Sequence, residues 1–257
     1  MPFKENKGLQ ALGLLVGMLA SGLAHAEPAA GALWTEPTTG MEFVWVPSGC
    51  FDQGSTDGQE NEKPVHHVCV QGFYLGKYEV TQAQYEKIAG NNPSAFKGPD
   101  HPVDQVSWTD AVSAADKLSS QGNSKIRLPS EAEWEYGCRA GGQHAVNCGS
   151  GNLADMAWYA DNSDNTTHDI GKKSPNAWGL FDMNGNVWEW TQDCYHSSYQ
   201  GAPSDGSAWA ANACQSRVTK GGGWNRVASR ARAAYRGGDG YSHRDDNIGF
   251  RLARTLP

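Results

Sequence analysis

Six cysteines, Cys50, Cys69, Cys138, Cys148, Cys194 and Cys214, give this chain its most direct access to redox or metal chemistry. Zinc sites draw on closely spaced thiolates, and no CxxC occurs here. An even cysteine count favours disulfides, the chemistry of an oxidising compartment. Cys50 closes the strand-like "MEFVWVPSGCF" and Cys69 lies in "HHVCVQGFYL", so neighbouring antiparallel strands can pair them. Cys138 with Cys148, and Cys194 with Cys214, would each close a short loop. His66 and His67 are adjacent, and on a strand they point to opposite faces, so they cannot act as a pair. No nucleophile triad is visible.

A second stretch suggests recognition. "GGGWNRVASRARAAYRGGDGYSHRDDNIGFR" runs from Gly221 to Arg251. Its interior holds Arg226, Ser229, Tyr235, Asp239, Tyr241, His243, Asp245 and Asp246, residue types that dominate antibody-like contact surfaces. These eight are the candidate binding residues. Tyr235, Asp239, Tyr241, His243, Asp245 and Asp246 are expected to face solvent, while the large apolar Trp224 and Phe250 bracket the segment and are expected to be buried.

The elements that would position these residues are sparse. "MEFVWVPSGCF" and "VHHVCVQGFYLGKYEV" alternate like strands. Thr81 caps a short helix, "TQAQYEKIAG". "SWTDAVSAADKLSSQG" is a second helix, capped by Ser107 or Thr109 and stopped at Gly122. "LPSEAEWEYGCRAG" is a third, with Pro129 and Ser130 at its start, Glu131 and Glu133 facing its N-terminal dipole and Gly141 at its end. No linker divides the chain, so one compact α+β domain with little regular structure is expected.

Lys4 and Lys7 precede an apolar run, Leu9 to Leu23, that ends in Ala24-His25-Ala26. This is the pattern of a cleaved signal peptide over residues 1–26, with Glu27 next, and it predicts an exported, periplasmic or secreted protein. Residues 27–39 then read as a lead-in and 40–257 as the domain. Losing Lys4, Lys7 and Glu5 moves the balance of 21 basic and 28 acidic residues from −7 to −8. Such a charge argues against nucleic acid and anionic membranes as partners, leaving an unidentified protein or small-molecule ligand.

"RLPSEAEWEYGCRAG", "NAWGLFDMNGNVWEWTQD" and "GGGWN…RAAYR…NIGFRLAR" occur in this order, after "GMEFVWVPSGCFDQGS" and "KYEVTQAQY". Together they resemble the formylglycine-generating enzyme, or sulfatase-modifying-factor, family from Gly40 to Arg254. The resemblance implies that family's fold, a single α+β domain related to C-type lectins. It also implies calcium at "NGNVWE", with Asn184, the carbonyls of Gly185 and Val187, and Glu189 as ligands, hard oxygens around one carboxylate. A second calcium would involve Asn152 and Leu153.

Family enzymes that make formylglycine hold Cu(I) on two thiolates in a GGS-x-x-C-x-x-x-x-C motif, soft ligands for a soft ion. The matching positions here are Gly221, Gly222, Gly223, Arg226 and Ala231. Copper chemistry of that kind therefore lacks its ligands, and no catalytic residue is assigned. Relatives that make sulfoxides use iron on a His-x3-His-x-Glu motif in an added helical domain, which this chain does not carry. Between Asn225 and Asn247 there is no Lys, Glu, Gln, Met or Trp. The types present can all be reached from an Asn codon by changing its adenines, a pattern that resembles the variable proteins of diversity-generating retroelements. The expected function is recognition of a ligand or partner through residues 225–247. The alternative is a periplasmic maturation or oxidation factor acting on an exported protein or a siderophore.

Overall fold

The computed structural model describes residues 1–3, 27–121, 124–142, 145–211 and 214–256. The signal-peptide segment and the helix stop at Gly122 therefore lie outside the described residues, apart from residues 1–3.

Strands β1 (Leu33–Thr35), β2 (Glu42–Val46), β5 (Phe73–Gly76), β13 (Ala253–Thr255) and β6 (Lys125–Arg127) form a five-stranded antiparallel sheet in the order β1-β2-β5-β13-β6. The last strand thus sits inside the first sheet, between β5 and β6. β1 falls inside the expected lead-in of residues 27–39 and pairs with β2, so the folded unit begins before residue 40.

β2 is buried along nearly its whole length because the sheet is covered on both faces. Phe43 and Trp45 pack with Ile88 of α1 (Gln82–Ala89) and Leu118 of α2 (Trp108–Gln121). Val44 and Val46 pack with Trp134 of α3 (Glu131–Cys138).

The stretch 41–51 is two strands rather than one. After Pro47, β3 (Gly49–Gln53) leaves the sheet and pairs with β4 (His66–Val70) in a separate antiparallel ribbon. Gln71 and Gly72 likewise separate β4 from β5. A short helix, α4 (Leu153–Met156), precedes β7 (Ala157–Trp158), which pairs in parallel with β8 (Asn184–Gly185). β9 (Trp188–Cys194), β10 (Ser216–Lys220), β11 (Gly237–Gly240) and β12 (Ile248–Gly249) form the second sheet, in the order β11-β10-β9-β12.

The helix starts follow the sequence. Thr81 with Gln84, and Ser130 with Glu133, close reciprocal capping boxes at α1 and α3. Ser107, not Thr109, caps α2: its hydroxyl accepts from the Asp110 N–H at 3.2 Å, and the Asp110 carboxylate accepts from the Ser107 N–H at 2.8 Å. All six cysteines are joined in the three local pairs expected, Cys50–Cys69, Cys138–Cys148 and Cys194–Cys214. Among the described residues, no helix is long and apolar enough to cross a membrane.

Candidate functional site

The second sheet delivers the C-terminal segment. β10 is followed by Gly221 and Gly222, both at positive φ, where a side chain would be strained. A Cβ at Gly222 would also meet the Arg230 carbonyl at 3.0 Å, so the turn closes tightly on the start of the segment.

Trp224 follows and is buried. Its indole N–H donates to the Asp246 carbonyl at 3.0 Å and its ring stands edge-on to Phe96. The two ends of the segment are thereby tied together, and Phe250 is fully buried as expected.

Three arginines pin the rest. Arg232 grips Glu62 through two bonds of 2.9 and 2.6 Å. Arg236 does the same to Glu131 at 2.6 and 2.9 Å, and Arg251 to Glu189 at 2.6 Å on each oxygen. Parallel N–H bonds of this kind fix orientation as well as charge. Around Glu131 a buried network grows: Lys220 lies 3.1 Å from Glu135, Arg139 2.9 Å from Glu135, and the Tyr199 hydroxyl donates to Glu131 at 2.8 Å. Burial pushes the Glu131 carboxyl up, yet Arg236 and Lys220 outweigh it and hold it below its ordinary value. The same carboxylate, with burial as the larger cause, raises the Tyr199 phenol.

The expected binding residues divide around this frame. Ser229, Tyr241 and His243 are exposed. Arg226, Asp239, Asp245 and Asp246 are half-buried. Tyr235 is a correction: it retains only 8% of its exposure. Its ring packs 5.7 Å from that of Trp188, with the guanidiniums of Arg230 and Arg232 over it at 5.8 and 5.6 Å. Ala233, Ala234 and Arg236 beside it are also buried, so the whole "AAYR" run is drawn inward by the Arg236–Glu131 pair.

Two polar groups form. At one, Asp245 accepts from the Asp246 N–H at 2.8 Å. Partial burial and then Asp245 raise the Asp246 carboxyl, which Arg226 partly offsets. At the other, Tyr241, Ser242 and His243 cap the exposed end of β11, where the His243 N–H donates to the Gly240 carbonyl. Asp239 stays on β11, accepting from the Thr219 hydroxyl.

A cavity of about 460 Å³ opens nearby, with Asp52, Ser55, Asp57, Arg139, Arg232 and Ala234 in its wall. The positions that the resemblance assigns to copper thiolates carry a half-buried guanidinium, Arg226, and a buried methyl, Ala231.

The expected calcium turn is buried at Asn184, Gly185, Val187 and Glu189. Glu189 is already paired with Arg251 and also accepts from the Trp134 indole at 2.6 Å, while Asn184 accepts from the Cys148 N–H. Acid is nonetheless in surplus there. Glu79, Asp182 and Glu189 influence one another around a single guanidinium, and the Oδ1 atom of Asp182 has no partner. Burial and this mutual repulsion raise Glu79 well above the usual range and Asp182 to about 6. Buried oxygens in acid surplus suit a hard cation, which would have to share Glu189 with Arg251. At the second expected site, Asn152 uses its side chain to cap α4, accepting from the Ala154 N–H at 3.2 Å, and Leu153 opens that helix.

Sequence reasoning missed the buried ion network. Lys220 and Arg236 lie far along the chain from Glu131 and Glu135, and only Glu135 with Arg139, the residue that caps α3, carried a local signal.

A profile of the sulfatase-modifying factor enzyme 1-like domain matches residues 30–256. The chain is 29% identical to a chaperone protein LppX of Paenibacillus barcinonensis, across 85% of this chain and 91% of that one. Among solved structures, PvdO from Pseudomonas aeruginosa superposes with a TM-score of 0.81 at 33% identity, covering 89% of this chain and all of that one. Treponema denticola variable protein 1 superposes at 0.78 with 27% identity, over 86% and 98% of the two chains.

Proposed function

The chain belongs to the sulfatase-modifying factor enzyme 1-like family, and from that premise we propose that it is an exported recognition protein rather than a copper oxidase. The carrying observation is the division of residues 221–251 into a buried, ion-paired frame and a polar exterior. Tyr241 keeps 47% of its exposure beside Ser242 and His243, although Arg236, Phe250 and Arg251 of the same segment are buried. A tyrosine held on a rigid base offers large contact area at low entropic cost. Two likenesses support the reading: one structural neighbour is titled a variable protein and one relative a chaperone, and both titles suit a protein that binds another.

The partner is an exported protein, met by Tyr241, His243, Ser229 and the carboxylates of Asp239, Asp245 and Asp246. Export is supported by the three disulfides and by the leader pattern of the first 26 residues. Calcium in the 184–189 turn would neutralise surplus acid beneath the frame and stiffen it. A maturation role is the second reading, favoured by the cavity that two arginines share with Asp52 and Asp57.

The test immobilises the mature protein and challenges it with exported proteins of its own host. Wild type should retain a defined partner, and the Tyr241→Ala/His243→Ala double variant should lose it with an unchanged melting temperature. Equal retention by the variant would end the recognition reading. Protein loaded with Cu(I) should form no formylglycine aldehyde in a cysteine-bearing sulfatase peptide. Aldehyde above a metal-free control would restore the oxidase reading.

A further inference from the structure

The β3–β4 ribbon carries a grid of reactive groups on its outer face. Its register sets Cys50 opposite Cys69 and Asp52 opposite His67. Residues two apart on a strand share a face, so all four side chains lie on one side. The inner face, with Phe51, Val68 and Val70, is buried in the core. On the outer face Cys50, Asp52 and His67 are exposed and Cys69 is half-buried. An imidazole nitrogen of His67 and the two sulfurs all lie within 4.8 Å of one another. His67 Nδ1 is 3.0 Å from Asp52 Oδ1. The sulfurs are bonded to each other, so the trio is not a metal site in this state.

The other two disulfides are less accessible, although the Arg217 guanidinium lies 3.7 Å from Cys194 Sγ. Cys138 and Cys148 are both buried, and so is Cys194. The ribbon does not depend on its crosslink for pairing, because five residue pairs in register and the apolar inner face already hold it.

We propose that Cys50–Cys69 is a thiol–disulfide exchange site that oxidises a dithiol, with His67 carrying the proton and Asp52 positioning His67. One thiol of the dithiol gives its proton to the neutral His67 imidazole and attacks, as the thiolate, Sγ of Cys50, the more exposed cysteine. The Cys50–Cys69 bond breaks and its electron pair leaves on Cys69, which takes a proton from the His67 imidazolium. The second thiol of the dithiol gives its proton to the neutral imidazole and attacks its own partner sulfur in the mixed disulfide. Cys50 then leaves with the bonding pair and is protonated in turn. The dithiol has lost two protons and two electrons, and Cys50 and Cys69 have gained them. Exchange of this kind is limited by access and by stabilisation of the leaving thiolate, and the grid supplies both. Asp52 also lines the 460 Å³ cavity, so a peptide seated there would bring its thiols to the grid.

The experiment treats the mature protein with limiting dithiothreitol, then traps thiols by alkylation and maps them. Cys50 and Cys69 should be labelled at least about tenfold faster than the other four cysteines. A reduced two-cysteine peptide should be oxidised with matching reduction of this pair, and a Cys50→Ser/Cys69→Ser variant that melts normally should not oxidise it. His67→Ala should slow exchange by roughly ten- to a hundredfold and remove the imidazole inflection from the pH–rate profile; Asp52→Asn should slow it less. Reduction of all three disulfides at one rate overturns the proposal. So does an unchanged rate and pH profile in His67→Ala, which would leave an exposed structural crosslink.

Discussion

Arg251 and Arg244 belong to the same C-terminal segment and have opposite fates. Arg251 is fully buried and closes a two-point pair with Glu189, while Arg244 stays exposed and reaches across the surface to Asp110. Residue type does not decide which role an arginine plays. What decides is whether the interior offers a carboxylate: Glu189 on β9 and Glu131 on α3 capture Arg251 and Arg236, while residues 241–244 between them stay exposed. The consequence is a platform whose base resists change and whose exterior accepts it.

The largest effect should come from breaking the base. Arg251→Met removes one partner of a buried pair and leaves Glu189 uncompensated beside Glu79 and Asp182, at a cost of about 3–5 kcal/mol. The additional substitution Glu189→Gln should recover part of that loss, since the isolated charge is then gone. Chemical denaturation of the wild type and the two variants measures both. A loss under about 1 kcal/mol for Arg251→Met would place the frame's rigidity elsewhere. In the same series, a calcium chelator should lower the wild-type midpoint if the surplus acid of the 184–189 turn holds a cation.

A smaller but sharper contrast lies between two tyrosines of one segment. Tyr235→Ala should destabilise by about 2–4 kcal/mol, because a ring packed on Trp188 and under two guanidiniums leaves a cavity. Tyr241→Ala should change stability by less than about 0.5 kcal/mol, as at ordinary surface positions. Thermal melts of the two single variants suffice. Equal costs would erase the distinction between base and exterior.

The two tyrosines also mark how far the sequence was legible. Helix starts, disulfide partners and the burial of Trp224 and Phe250 were readable because each depends on short spacing or on apolar size. The fold itself was readable through long motifs in order. Tyr235 was misplaced because its burial depends on Trp188 and on Arg232, whose own partner, Glu62, lies in a distant loop. The network of Lys220, Glu131, Glu135 and Arg236 was hidden for the same reason: salt bridges between remote residues leave no periodicity. β1 escaped notice because three residues, only partly buried at the sheet edge, carry little alternation.

The smallest expected effect tests the seam between base and exterior. Asp104 is buried beneath Asp246; its Oδ1 atom accepts from the Ala95 N–H at 2.7 Å and its Oδ2 atom has no partner. Burial is the main cause that lifts its carboxyl from the ordinary 3.8 to about 7, with Asp246 adding to it and the backbone bond opposing it. A carboxyl raised in the folded state binds its proton more tightly there than in the unfolded chain. Its contribution is therefore fully present at pH below the unfolded value and is lost as pH rises through about 7. Asp104→Asn keeps the acceptor for Ala95 and cannot ionise. At pH 3 the variant and the wild type should melt together, because the aspartate is then protonated in the folded and the unfolded chain alike. At pH 8 the variant should be the more stable by about 1 kcal/mol or more. If the gap between the two is instead the same at pH 5 and pH 8, Asp104 is ionised in the fold across that range, and the seam carries its full charge.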